Sequence, residues 1–167
     1  SNLMERFKTV LDVVFSWVLR LAMVLLVTMV VIVFTNVVLR YGFRSGIRWA
    51  EEMSLVIVIW FTFISMALGV KENLHINISL LPRKLGAKFF LSLDVAKNAL
   101  QIFIGVVLVI YGWRLTLHGA RSRLPATHLP NSINYMILPI VGVFIVLYAG
   151  LHLYGDIENF RKKGAGT

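Results

Sequence analysis

Residues 21–39 read LAMVLLVTMVVIVFTNVVL, nineteen positions between Arg20 and Arg40 without a charged side chain. As a helix rising ~1.5 Å per residue they cover about 28 Å, close to the ~30 Å hydrocarbon thickness of a bilayer. A soluble domain needs charge over its surface and does not set aside such a run. Outward from it the pattern recurs. Glu52 and Lys71 bracket eighteen uncharged residues (53–70), Lys97 and Arg114 bracket sixteen (98–113), and residues 124–155 form thirty-two without Asp, Glu, Lys or Arg. The third run is short for a span, but Lys97 and Arg114 can extend their charged heads to the interfaces. Composition agrees: 58% of the 167 residues are hydrophobic, mean hydropathy is +0.80, and 17 basic and 8 acidic residues fall well below the ~40 charges usual at this length. The expected fold is an all-α integral membrane protein, one domain over 1–167 with four transmembrane helices near 18–40, 50–70, 95–114 and 132–154.

A signal peptide would also place an apolar stretch behind a basic start, but its apolar region is ~7–15 residues long. Residues 21–39 exceed that and lack a small-x-small exit. With no cysteine there are no disulfides, thiolate nucleophiles or cysteine-ligated metals. The net charge of +9 does not point to nucleic acid, because the basic residues sit at the ends of apolar runs instead of on one soluble face. Their placement is a topology signal. Eleven Lys and Arg fall before helix 1, between helices 2 and 3 and after helix 4, against six in the other two connections, which predicts both termini in the cytoplasm.

The connections carry the polar candidates. Gly42, Ser45 and Gly46 suit a tight outer turn, and Glu51 and Glu52 then fall in the first turn of helix 2, where the helix dipole favours carboxylates. Arg48, three and four residues earlier, is placed for a local ion pair with them, or for a polar contact to a partner protein. Residues 82–94 have helical spacing, with Leu85, Phe89 and Leu93 on one side and Arg83, Lys84 and Lys88 on the other. This reads either as an interfacial helix on the inner leaflet, favoured by anionic membrane lipids, or as an extension of helix 3. The outer connection 114–132 holds Arg114, Arg121, Arg123, His118, His128, Pro125 and Pro130, so helix 4 begins near Asn131 or Ser132, and Pro139 inside it predicts a kink.

The middle of each span lacks Asp, Glu, Lys, Arg and His, whereas a carrier that moves ions through its own core places an ionisable residue at depth. That argues against a small homodimeric exporter. A haem-bearing or redox anchor needs paired histidines at one level, and His118, His152 and His75 do not supply them. No phosphate loop or nucleophile motif is present. Asn77-Ile78-Ser79 matches a glycosylation sequon by chance on this topology. Ser65 and Gly69 offer a small-xxx-small contact patch on helix 2, and Trp60, two turns into that helix, is placed to pack on protein rather than lipid.

The stretch 36–81, NVVLRYGFRSGIRWAEEMSLVIVIWFTFISMALGVKENLHINISLL, resembles the signature region of the small membrane subunit of tripartite ATP-independent periplasmic (TRAP) transporters, the DctQ-like family. The matching features are Arg40 at the end of helix 1, the Trp49-x-Glu51-Glu52 start of helix 2, Trp60 within it, and His75-Ile76 after it. The family pattern continues from His-Ile to an Asp that is Ser79 here, and Gly69-Val70-Lys71 replaces the commoner small residue and Arg. The resemblance implies a non-catalytic subunit of the bacterial inner membrane without a cofactor of its own. A soluble periplasmic protein would capture an organic acid, sialic acid or a C4-dicarboxylate, and a large membrane subunit would hold substrate and sodium and move them. On this reading Arg40, Arg48, Trp49, Glu51, Glu52, Trp60, Ser65, Gly69 and His75 contact the large subunit or shape the start of helix 2, and Arg44, Arg48, Arg121 and Arg123 receive the binding protein.

Overall fold

The computed structural model describes residues 2–73 and 86–165. Within them the chain forms α1 (Asn2–Gly42), α2 (Ala50–Lys71), α3 (Ala87–Gly119), the single turn α4 (Ser132–Tyr135) and α5 (Ile137–Gly164). With α4 and α5 taken as one unit, four helices are long and apolar enough to cross a bilayer, and the protein is an all-α integral membrane protein. His75, the sequon at 77–79 with Ser79, and the first part of the 82–94 segment lie outside the described residues. The rest of that segment, from Ala87, is the start of α3, which continues to Gly119.

Successive helices reverse direction. Asp12, Lys71, Asn98 and Asp156 therefore gather at the end that carries the termini, and Arg40, Glu52 and the 120–131 loop at the far end. The most extensive packing is α3 on α5, followed by α1 on α2 and α2 on α5. The helices form an open row, α1–α2–α5–α3, in place of a closed bundle.

Glycines hold α3 against α5. Inside lipid, helices gain little from the hydrophobic effect and associate where backbones can approach. A Cβ at Gly142 would lie 2.7 Å from the Gly105 carbonyl oxygen and 2.9 Å from the Val109 nitrogen; one at Gly105 would meet the Gly142 carbonyl at 3.0 Å. Gly112 faces Pro139, its Cβ position 3.0 Å from the ring Cδ, and Gly119 faces Ser132 and Tyr135. Gly105, Gly112 and Gly119 recur every seven residues, the spacing that keeps one seam facing a partner helix. The small-xxx-small patch singled out in the sequence differs. Ser65 is exposed with its hydroxyl bonded to the Phe61 carbonyl, and a Cβ at Gly69 would meet nothing within 4 Å.

The 41 residues of α1 give a rod about 60 Å long, roughly twice the hydrocarbon thickness. Its uncharged run is only the second half. In the first half Phe15, fully buried, sets its ring 5.1 Å from Phe144 and 5.6 Å from Tyr148, both edge-on, under the Lys71 ammonium at 5.5 Å. Pro139 acts as expected for a residue without an amide hydrogen: helix 4 is interrupted at Met136, between α4 and α5. Asn131 precedes α4, but its side-chain oxygen accepts from the Asn134 amide instead of capping the backbone.

Candidate functional site

The polar groups concentrate at the two ends of the row. At the far end α1 leaves through Arg44, whose φ of 54° is left-handed, a conformation uncommon outside glycine, and the Ser45 amide donates to the Leu39 carbonyl at 3.0 Å. The turn expected from Gly42 and Gly46 thus bends at an arginine. Asn36 accepts from the Ile47 amide at 2.8 Å and ties the 43–49 loop to α1.

Glu51 and Glu52 part company. Glu51 pairs with Arg40 at 3.7 Å, an exposed ion pair of small energetic weight. Glu52 turns toward the 120–131 loop and accepts from the Ala126 amide (2.7 Å), the Thr127 amide (2.9 Å) and the Thr127 hydroxyl (3.0 Å). The expected local pair with Arg48 is corrected: Arg48 is exposed and, among the described residues, pairs with neither glutamate. The cause is that the proline-containing loop presents two backbone donors with no helical partner, and a carboxylate meets both at once.

The loop has its own frame. The Leu124 amide donates to Leu129 at 2.8 Å, and Asn131 to Ser122 at 2.9 Å. Arg123 donates from its guanidinium to the His128 carbonyl at 2.9 Å, and His128 has φ 56°. Arg121 and Arg123 are exposed, as are Arg44 and Arg48 in the other far-end connection, so the two braced loops carry four arginines. Glu52→Ala should release the second loop. Hydrogen exchange at the Ala126 and Thr127 amides is expected to rise by about tenfold or more, as for a lost charge-assisted bond, while amides in α5 keep their rates.

Trp60 packs inside this chain, its indole donating to the Ile133 carbonyl of α4 at 2.8 Å. Trp49 is 44% exposed and precedes α2. His118 ends α3 at the far end, exposed, while His152 at the opposite end bonds the Val70 and Lys71 carbonyls, each at 3.1 Å, so the two share no level.

Sequence reasoning missed the contacts at the termini end. Tyr148, 2% exposed, donates to Asp12 at 2.9 Å. Asp12 precedes the uncharged run of α1, yet it reaches into the row beside an apolar stretch of α5, near the termini end and away from the middle of the spans. The reason is that α1 runs on as a helix below Arg20 and brings its polar first half against α5. Asn98, fully buried, donates to Asp156 at 3.0 Å, and the side-chain amide of Gln101 is buried without a partner among the described residues. Lys97 donates to Asn73 at 2.7 Å, joining α3 to the end of α2.

Residues 29–159 match the family model described as tripartite ATP-independent periplasmic transporters, DctQ component. The chain belongs to the DctQ family. A Haemophilus influenzae protein, provisionally named a TRAP transporter small permease protein, is 30% identical over 121 residues, covering 72% of this chain and 75% of that one. The C4-dicarboxylate TRAP transporter small permease protein DctQ of Rhodobacter capsulatus is 30% identical over 97 residues (55% of this chain, 41% of that one). The sialic acid TRAP transporter small permease protein SiaQ of Vibrio cholerae is 30% identical over 100 residues (59% and 57%). With four helices of membrane length, this DctQ-family chain is a multi-pass protein of the bacterial inner membrane and a small permease component of a TRAP transporter.

Proposed function

We propose that this DctQ-family chain is the non-catalytic small subunit of a sodium-coupled TRAP transporter, with both termini cytoplasmic and the far end periplasmic. It braces a large membrane subunit that holds substrate and sodium, and it helps receive the periplasmic binding protein. The cargo is an organic acid of the sialic acid or C4-dicarboxylate class, in keeping with the names of two relatives.

The single observation that carries this reading is the bare face of α1. Only 6% of its most apolar window is buried within the chain, against 39% for the helix at 132–164. Lipid covers some of that face, and a large helical partner covers the rest. Ser65 and Gly69 add a second small-residue surface left free by this chain's own packing. The arginines at the far end fit a docking role because charge at a rim steers encounter. Holding Arg44 at a left-handed position that glycine would occupy with less strain accords with a use for its side chain.

The absence of cysteine makes the test clean. A single cysteine at Val31 on the bare face, in membranes that also contain the large subunit, should cross-link to it, and one at the buried Ile137 should not. No cross-link from any exposed position of α1 or α2 would contradict the assignment. For the docking face, Arg44→Glu with Arg121→Glu is expected to raise the binding-protein concentration needed for half-maximal uptake by about tenfold, with a weaker salt dependence. Arg123 is spared because it also braces its own loop. Unchanged uptake at limiting binding protein would remove these arginines from the docking face.

A further inference from the structure

Between the first turns of α1 and the last turns of α5, with the end of α2 at its base, lies an open cavity of about 650 Å³. Its charged lining is mixed: Lys8, Lys71 and Lys162 against Glu5, Asp12, Glu72 and Glu158. Several of these groups are already oriented. Lys71 sits over the Phe15 ring and 3.9 Å from Glu72, Lys162 meets Glu158 at 2.8 Å, and Asp12 is fixed by the Tyr148 hydroxyl. Four carboxylates do not suit a simple anion, and three ammonium groups among them do not suit a simple cation. They suit a ligand that is itself dipolar, with an acidic oxygen group and a primary ammonium a few bonds apart.

The position of the cavity narrows the source. Lys71 closes the uncharged run 53–70, and Tyr154 and Gly155, which also line the cavity, are the last residues before Asp156 ends the run on α5. Charged and aromatic residues at the ends of apolar runs mark the level of lipid headgroups. Tyr154 is half exposed at the rim, as expected where one end of a ring is apolar and the other wet.

We propose that this cavity binds the headgroup of a zwitterionic aminophospholipid, phosphatidylethanolamine, with the phosphodiester toward the lysines and the ammonium toward the carboxylates. The bound lipid fills the gap between the start of α1 and the end of α5, where the row is otherwise open. The site does not depend on transport by the complex, so its failure leaves the small-subunit assignment standing.

Native mass spectrometry of the full chain released from lipid nanodiscs tests it, with phosphatidylethanolamine, phosphatidylcholine and phosphatidylglycerol offered in turn. Phosphatidylethanolamine should be retained about tenfold more strongly than phosphatidylcholine, whose quaternary nitrogen has no hydrogen to donate to a carboxylate. Glu72→Gln should remove that preference, and Lys8→Gln should weaken retention of both zwitterionic lipids. Thermal unfolding of each variant in detergent checks that it is folded. Equal retention of all three lipids, or a preference untouched by both substitutions, overturns the proposal. Competition by soluble phosphoethanolamine at the concentration of the lipid overturns it in favour of a small-solute site. Displacement of the lipid on adding the large subunit overturns it in favour of a protein contact.

Discussion

Gly142→Ala is expected to push α3 off α5. One methyl group is added, but its neighbours are the Gly105 carbonyl at 2.7 Å and the Val109 nitrogen at 2.9 Å, and backbone atoms cannot rotate aside as side chains can. Overpacking of this kind costs about 1–3 kcal/mol. For a chain of this length that corresponds to roughly 2–12 °C in the unfolding midpoint. Gly150→Ala, on the same helix with nothing within 4 Å of its Cβ position, should leave the midpoint unchanged. Thermal unfolding of the two purified variants in one detergent makes the comparison. Equal midpoints would mean that α3 and α5 are held by something other than the glycine seam.

Phe15→Ala should have the largest effect at the termini end. The ring is fully buried and meets two aromatic partners on α5 as well as the Lys71 ammonium from α2, so three helices meet on one side chain. Truncating a buried phenylalanine costs about 3–5 kcal/mol in well-packed cores. Because α1 meets α5 mainly here, the expected outcome is local. The first turns of α1 should become open to proteolysis and the Asp12–Tyr148 hydrogen bond should be lost, while the α3–α5 pair persists. Trp17→Ala, one residue pair further along but 65% exposed, should change neither in the isolated chain. If the Phe15 variant resists protease as the parent does, α1 is anchored by its contacts with α2 alone.

How much of this was legible in the sequence depends on the kind of contact. The four spans were readable because the bilayer imposes a length on uncharged runs, and Lys71 stops α2 where the charge pattern puts the boundary. The start of α1 was less readable. Charge marks where hydrocarbon ends but not where a helix ends, and α1 continues to Asn2 through residues that suit both water and helix. The break before Pro139 follows from local chemistry and was anticipated, whereas the destination of Glu52 was not. A carboxylate in a first helical turn has a local arginine within reach in the sequence, and only the tertiary fold brings backbone donors from 74 and 75 residues away. The glycine seam had a signal in the seven-residue spacing of Gly105, Gly112 and Gly119. Small-residue pairs at spacing four drew attention to Ser65 and Gly69 instead, which this chain leaves uncovered and which the proposed partner contact would use.

The four arginines on the far-end loops and the bare face of α1 agree in one respect: both are surfaces, and neither encloses a route for a solute. Asp12 and Tyr148 bring polar groups together near one end of the row, well short of the far-end loops. The chain is therefore expected to support uptake only as part of a larger assembly. Uptake of a labelled organic acid into sodium-loaded and sodium-gradient liposomes, with the chain alone, with the large subunit alone, and with both plus the binding protein, is the most direct measurement. The account predicts gradient-driven uptake only in the complete set and none from this chain by itself; solute flux or current carried by this chain alone would contradict it.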